Sequence, residues 1–221
     1  MNMVGSIFKI RKVTVGPLET NCYLLINENT NNAVVVDPGW DSDKIIRVLR
    51  DTHIKYIIAT HGHFDHVSAV KKLRESKGGA FMIHKLDLEI LSHARISSYL
   101  FLGANIDEPP SPDIILEDEV EVEFEELKLK IIHTPGHSPG SISIYIKELN
   151  SLLSGDTLFR DSVGRTDIPG GSWEELKNSL RKLLQNLPDT TVIYPGHGPE
   201  TTVGREKSIN PFVNEILFSK H

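Results

Sequence analysis

Cysteine is almost missing from this chain. The one present, Cys22, leaves no disulfide framework possible within the chain, which suits a reducing interior. Long apolar runs are missing too. Nothing approaches the roughly 18 apolar residues in succession that a membrane span needs. Met1 to Ile10 lacks the apolar stretch and cleavage-like site of a signal peptide. An excess of positive charge is also lacking. Lys and Arg number 24 against 30 Asp and Glu, a formal net charge of −6, so no broad basic surface for nucleic acid is expected. These absences point to a soluble cytoplasmic protein with neither membrane nor nucleic acid as a partner. What is present is an ordinary globular composition, 39% hydrophobic and 24% charged. Its 221 residues suffice for one sizeable core or two small ones.

The hydrophobic pattern opens as a meander. Ile7 to Val15, Cys22 to Ile26 and Ala33 to Val36 read as strands separated by the Gly16-Pro17 turn and the polar stretch Asn27 to Asn32. Asp41 to Asp51 then fits a helix with an Ile45, Ile46 and Leu49 stripe and Asp41 or Ser42 as its cap. Lys55 to Ala59 reads as a buried strand, Asp65 to Ser76 as a helix ended by Gly78-Gly79, and Ala80 to Ile83 as a strand. Residues 85 to 112 carry no clear period and read as a wall or lid over a site, or as a surface connection. Val120, Val122 and Phe124 alternate with glutamates, which is a strand with one solvated face rather than an acidic site. Strands follow at Leu127 to Ile131, Ile142 to Ile146, Leu152-Leu153 and Thr191 to Tyr194. The helix Ser172 to Leu187 begins with a capping box of Ser172 and Glu175. One domain over residues 1–221, of α+β class, with two sheets and helices outside both, is the simplest packing.

The chemistry concentrates at Thr60-His61-Gly62-His63-Phe64-Asp65-His66. Three imidazoles and a carboxylate fall within six positions, and each is costly to bury without a partner. Imidazole nitrogen with carboxylate oxygen suits a borderline divalent metal such as zinc. The motif lies between a strand end and a helix start, where α/β folds place their ligands. Asp65 also reads as an ordinary N-cap. Three later residues share that context of strand followed by a Gly or Pro turn: His137 in Pro135-Gly136-His137, Asp156 after Ser154-Gly155, and His197 in Pro195-Gly196-His197. Alone, His197 would be a turn histidine and Asp156 a turn aspartate. Four such places after strands point to one shared site. Cys22 reads as core, and His53, His84, His93, His133 and His221 as structural or exposed.

The His-x-His-x-Asp-His motif, Pro-Gly-His, Gly-Asp and the final Gly-His resemble the metallo-β-lactamase superfamily from Asp37-Pro38-Gly39 to His197. Gly155 to Phe159, Gly164-Arg165-Thr166-Asp167 and Pro195 to Pro199 with Thr201 to Gly204 look like its compact glyoxalase II branch. The resemblance implies a four-layer αββα sandwich and two divalent metals, zinc first, with iron or manganese also compatible. His61, His63 and His137 would hold one, Asp65, His66 and His197 the other, and Asp156 would bridge them. Asp65 and Asp156 are the catalytic candidates, and no further cofactor is implied. Two such metals would supply a water activated near neutral pH, its pKa brought to about 7, for attack on a carbonyl. Asp37 is either a partner for a metal-bound histidine or a strand-ending turn residue. Arg165 and Asp167 are expected as a buried pair shaping the site wall. The implied activity is hydrolysis of a small-molecule S-2-hydroxyacyl thioester. The alternatives are a persulfide dioxygenase holding one iron, a hydrolase of another ester or lactone, and a non-catalytic metal-binding module. The family's glutathione-binding helical extension has no counterpart between Gly198 and His221, so the thiol carrier is left open. Arg205 and Lys207 either bind a carboxylate near the mouth or are solvated surface.

Overall fold

The computed structural model describes residues 7–218; His221 and residues 1–6 of the N-terminal reading lie outside them. The chain divides after Leu116 into two compact units.

The first unit is built on a six-stranded sheet in chain order: β1 (Phe8–Val15), β2 (Thr20–Asn27), β3 (Asn32–Val36), β4 (His53–Ile58), β5 (Ala80–His84) and β6 (Ile114–Leu116). The meander read from the sequence is its antiparallel part, β1 to β3. From β3 to β6 neighbouring strands run parallel, so their C-terminal ends finish on one edge. Asp37, the His61 motif and the segment after His84 all leave the sheet there. Strand β2 is buried at every residue, as a strand covered on both faces should be.

Five helices accompany this sheet: α1 (Ser42–Leu49), α2 (Phe64–Val67), α3 (Val70–Lys77), α4 (Leu88–Ser92) and α5 (Ala94–Leu102). Ile45, Leu49, Val67, Val70 and Leu73 pack with Leu24, Val35, Ile57 and Phe81 in its core. Asp41 does stand before α1, but with left-handed backbone and no cap bond of its own. Its carboxylate instead accepts from the Gly16 N–H at 3.0 Å, tying the β1–β2 turn to the helix start.

The single helix expected over 65–76 is two. In an unbroken helix the Ala69 N–H would bond the Asp65 carbonyl; here it donates to Pro38 O at 2.9 Å. The turn after β3 has slid into that gap. A Cβ built on Gly39 would lie 1.5 Å from the Asp65 carbonyl oxygen, so only glycine permits the approach, and the helix is broken by the inserted chain. The unreadable segment 85–112 holds a 3-10 turn (Lys85–Asp87), α4 and α5 before an irregular run to β6. Helix α5 exposes Ile96, Tyr99, Leu100 and Phe101, which explains why no buried periodicity marks it.

The second unit carries another six-stranded sheet, ordered β14-β13-β10-β9-β8-β7, from β7 (Glu121–Phe124), β8 (Leu127–His133), β9 (Ile142–Ile146), β10 (Ser151–Gly155), β13 (Val192–Pro195) and β14 (Thr201–Thr202). The glutamate-rich β7 is an edge strand, where charge discourages further pairing. A two-stranded hairpin, β11 (Leu158–Phe159) with β12 (Ser162–Val163), follows β10. Helix α6 (Trp173–Asn186) starts at Ser172, whose hydroxyl accepts from the Glu175 N–H. Its Leu176, Leu180, Leu183 and Leu184 pack with Leu152 and Ile193. The sequence reading stops short of α7 (Val203–Ile209) and α8 (Pro211–Phe218). Among the described residues no helix is long and apolar enough to cross a membrane.

Candidate functional site

In the first unit the candidate ligands gather just past β4. The His61 and His63 ring centroids are 4.7 Å apart, edge to face, and those of His61 and His66 are 4.0 Å apart. His61 and His66 are buried, while His63 and Asp65 are half-buried. Asp65 lies in the first turn of α2, and the N-cap position falls to His63. The Asp65 carboxylate accepts from Thr20 Oγ1 at 3.1 Å and lies 3.3 Å from His66 Nε2.

Beneath this group sits Asp37, buried and in left-handed backbone at φ 53°. Its Oδ1 accepts from the Thr60 N–H at 2.7 Å, and its Oδ2 from Thr60 Oγ1 at 2.8 Å. The same Oδ2 lies 3.1 Å from His66 Nδ1. Thr60 Oγ1 in turn lies 3.1 Å from His61 Nδ1.

In the second unit, β10 and β13 are parallel neighbours, with Gly155 opposite Pro195. Asp156 and His197 therefore leave adjacent strands at one edge, and the Gly196 N–H bonds Gly155 O at 2.9 Å. Antiparallel β8 and β9 bring the 134–141 loop to the same edge. Asp156 is the hub: its Oδ2 is 3.6 Å from His137 Nε2 and 3.5 Å from His197 Nε2. The Phe159 ring stands edge-on to His197, centroids 6.2 Å apart.

Hydrogen bonding decides which ring nitrogen is offered. A carbonyl only accepts, so His137 Nδ1, 2.9 Å from Arg165 O, carries the proton and Nε2 keeps the lone pair. The Thr60 hydroxyl gives its proton to Asp37, so its oxygen accepts from His61 Nδ1–H. His66 lies between two carboxylates, Asp37 Oδ2 at 3.1 Å from Nδ1 and Asp65 Oδ2 at 3.3 Å from Nε2, so its partners do not select one tautomer. His61 and His137 thus carry the proton on Nδ1, held by an oxygen, and keep the Nε2 lone pair, the form that binds a metal. In each unit by itself, imidazole nitrogens stand beside a carboxylate, Asp65 in the first and Asp156 in the second, the donor types that fit a borderline divalent cation.

Arg165 and Asp167 are corrected by the structure. They do pair, Nε to Oδ1 at 2.8 Å and Nη2 to Oδ2 at 2.9 Å. The side chains are not buried, being 60% and 74% exposed. Residues two apart complete a bidentate pair by themselves and have no need of the interior. Hydrogen bonding from Arg165 holds the Asp167 carboxyl below the usual carboxylate range. What Arg165 gives His137 is its backbone carbonyl. Arg205 and Lys207 are likewise engaged, Arg205 with Asp161 and Glu206, and Lys207 with Asp189.

His53 and His93 are exposed. His84 is buried, with Nδ1 accepting from the Leu86 N–H, and His133 Nε2 bonds Pro139 O at 2.8 Å. Sequence reasoning assigned no role to Thr60, Thr20 or Asp87. Only Thr60, inside the motif, carried a signal that could have found it.

The family model described as the metallo-beta-lactamase superfamily matches residues 15–197. A Haemophilus influenzae protein named hydroxyacylglutathione hydrolase GloC is 35% identical over 209 residues, covering 93% of this chain and 98% of the relative. The crystal structure of the BLEG-1 B3 metallo-beta-lactamase superposes with a TM-score of 0.87 at 36% identity, over 93% of this chain and 99% of that one. That of TTHA1623 in a di-iron-bound form gives 0.84 at 38% identity, over 91% and 99%. With the match running from the end of β1 to the last histidine of the donor set, the chain belongs to the metallo-β-lactamase superfamily.

Proposed function

We propose that this protein is a metal-dependent hydrolase of S-2-hydroxyacyl thioesters acting in the cytoplasm. In this reading His61, His63 and His137 hold one divalent cation and Asp65, His66 and His197 a second, with Asp156 between them. The observation that carries it is the placement of His61 and His137, each with Nδ1 against an oxygen, at 3.1 Å from Thr60 Oγ1 and 2.9 Å from Arg165 O. The GloC relative supports the substrate class, and the di-iron-bound structure supports a pair of cations.

Bound there, such cations supply an activated water near neutral pH and polarise a carbonyl oxygen. The chain's own part is to aim the donors. Asp37 and Thr60 hold His61 and His66, Arg165 O holds His137, and Thr20 holds the Asp65 carboxylate. No side chain is required as a strong acid for the leaving group, because a thiol of pKa about 8.5 departs readily as thiolate. The exposed apolar residues of α5 stand beside the ligand loop, with Phe101 6.4 Å from Phe64, and offer a wall for a substrate's apolar part.

The test is a kinetic screen of acyl thioesters differing only in the thiol, on protein reconstituted separately with zinc, iron and manganese, with dissolved oxygen followed in parallel. Thiol release without oxygen uptake is the expected result. Oxygen uptake on a persulfide by protein holding one iron per chain would replace this reading with the dioxygenase. Turnover confined to lactones or other esters would move the substrate class.

A further inference from the structure

Asp87 occupies the position before the first residue of α4, where an aspartate ordinarily accepts from its own helix's first N–H groups. It makes no such bond. Its carboxylate turns the other way, to the ligand loop: the Gly62 N–H donates to Asp87 Oδ2 at 2.7 Å. Asp87 is fully buried, a costly place for a carboxylate unless its hydrogen bonds repay the loss of water. Gly62 lies between His61 and His63. A Cβ built on it would fall 2.8 Å from the Asp87 carbonyl oxygen and the Leu91 nitrogen, and 3.2 Å from Ile90 Cβ. The loop is therefore laid directly on the start of α4. The parallel order of β4 and β5 makes this possible by ending both strands on one edge.

We infer that Asp87 is a positioning residue that acts through the Gly62 N–H to hold the His61-Gly62-His63 turn in its ligand geometry before a cation arrives. This rests on the metal-binding reading above. A backbone N–H to carboxylate bond is charge-assisted and about twice as strong as a neutral one, so one such bond at the pivot restrains both flanking imidazoles. Without it the turn is ordered only at the expense of binding energy. Outer partners of metal ligands typically set affinity by about 10–100-fold, and Asp87 exerts its effect one step further back, on the backbone that carries two ligands.

The experiment titrates zinc into metal-free full-length protein against a chromophoric chelator, for wild type, Asp87→Ala and Asp87→Asn. The Gly62 amide proton is followed by NMR in the same metal-free samples. Asp87→Ala is expected to weaken zinc binding by about 10–100-fold and to move the Gly62 amide proton upfield. Asp87→Asn, which keeps an acceptor oxygen but not the charge, is expected to do both to a smaller degree. If Asp87→Ala does not fold, the Asn variant carries the comparison. Folded variants that bind zinc as tightly as wild type overturn the inference, whatever their melting temperature, because a mere brace for α4 would lower stability and leave affinity alone. A wild-type chain that binds none of zinc, iron or manganese would instead overturn the metal reading, and this inference with it.

Discussion

Asp37 and Thr60 are bonded twice, backbone N–H to Oδ1 at 2.7 Å and hydroxyl to Oδ2 at 2.8 Å. The second bond determines the state of a third residue, since a hydroxyl that donates to Asp37 has only lone pairs to offer His61 Nδ1. Thr60→Val removes that acceptor while keeping the shape. It should weaken metal binding by about 10–100-fold, whereas Thr60→Ser should stay near wild type. Chelator competition measures the affinity, and nitrogen NMR of the His61 ring reports the tautomer. An unchanged tautomer in the valine variant would contradict the assignment.

His61→Ala and Asp156→Ala should each abolish thioester turnover while the fold is retained, because both residues sit at strand ends rather than within the apolar clusters. Circular dichroism and thermal melting of the metal-free proteins should match wild type, and metal per chain should fall. An Asp156→Ala protein that stays active and metal-replete would remove that carboxylate from the mechanism.

Cys22 is fully buried. Burial pushes its thiol well up, and the Asp37 charge adds to the effect. Thiolate is the reactive form, so the native protein should resist a disulfide reagent at pH 8 and release one equivalent only when unfolded. Rapid reaction of the native chain would show that β2 opens to solvent.

Glu206 gathers the C-terminal part of the second unit. Its buried carboxylate accepts from the Asp161 N–H, Arg205 and Asn210 at 2.8 Å each, and from Thr201. Glu206→Ala strands those donors and should cost about 1–3 kcal/mol, the range for buried donors left without an acceptor, read as a lower urea midpoint.

The partner of Arg205 on the surface gives a pH test. Hydrogen bonding from Arg205 lowers the exposed Asp161 carboxyl from its ordinary 3.8. A folded value below the unfolded one stabilises above the unfolded value and is lost as pH falls through the folded one. The urea midpoints of wild type and Asp161→Asn should therefore differ near neutrality and converge in acid below pH 3.8. A difference that persists or widens there would show that the charge is not what stabilises.

Elements whose signal is local were legible. The apolar runs of β2 and β3, the alternation in β8 and β9, the leucine stripe of α6 with its Ser172 cap, and the crowding of His61, His63, Asp65 and His66 are all relations between residues a few positions apart. Helix α5 was not legible, because its Ile96, Tyr99, Leu100 and Phe101 face outward and leave no amphipathic period. The break after Val67 was not legible either, since it is caused by Pro38 and Gly39, which reach it from another strand end.

By itself, then, the sequence determined the donor types, their clustering at strand ends and the family they belong to. Only the tertiary structure decided what holds them. Thr60 meets Asp37 across 23 positions and Gly62 meets Asp87 across 25, separations that no periodicity encodes. The physical reason is the parallel order of β3, β4 and β5, which ends distant segments side by side and lets a carboxylate from each neighbour fasten the loop between them.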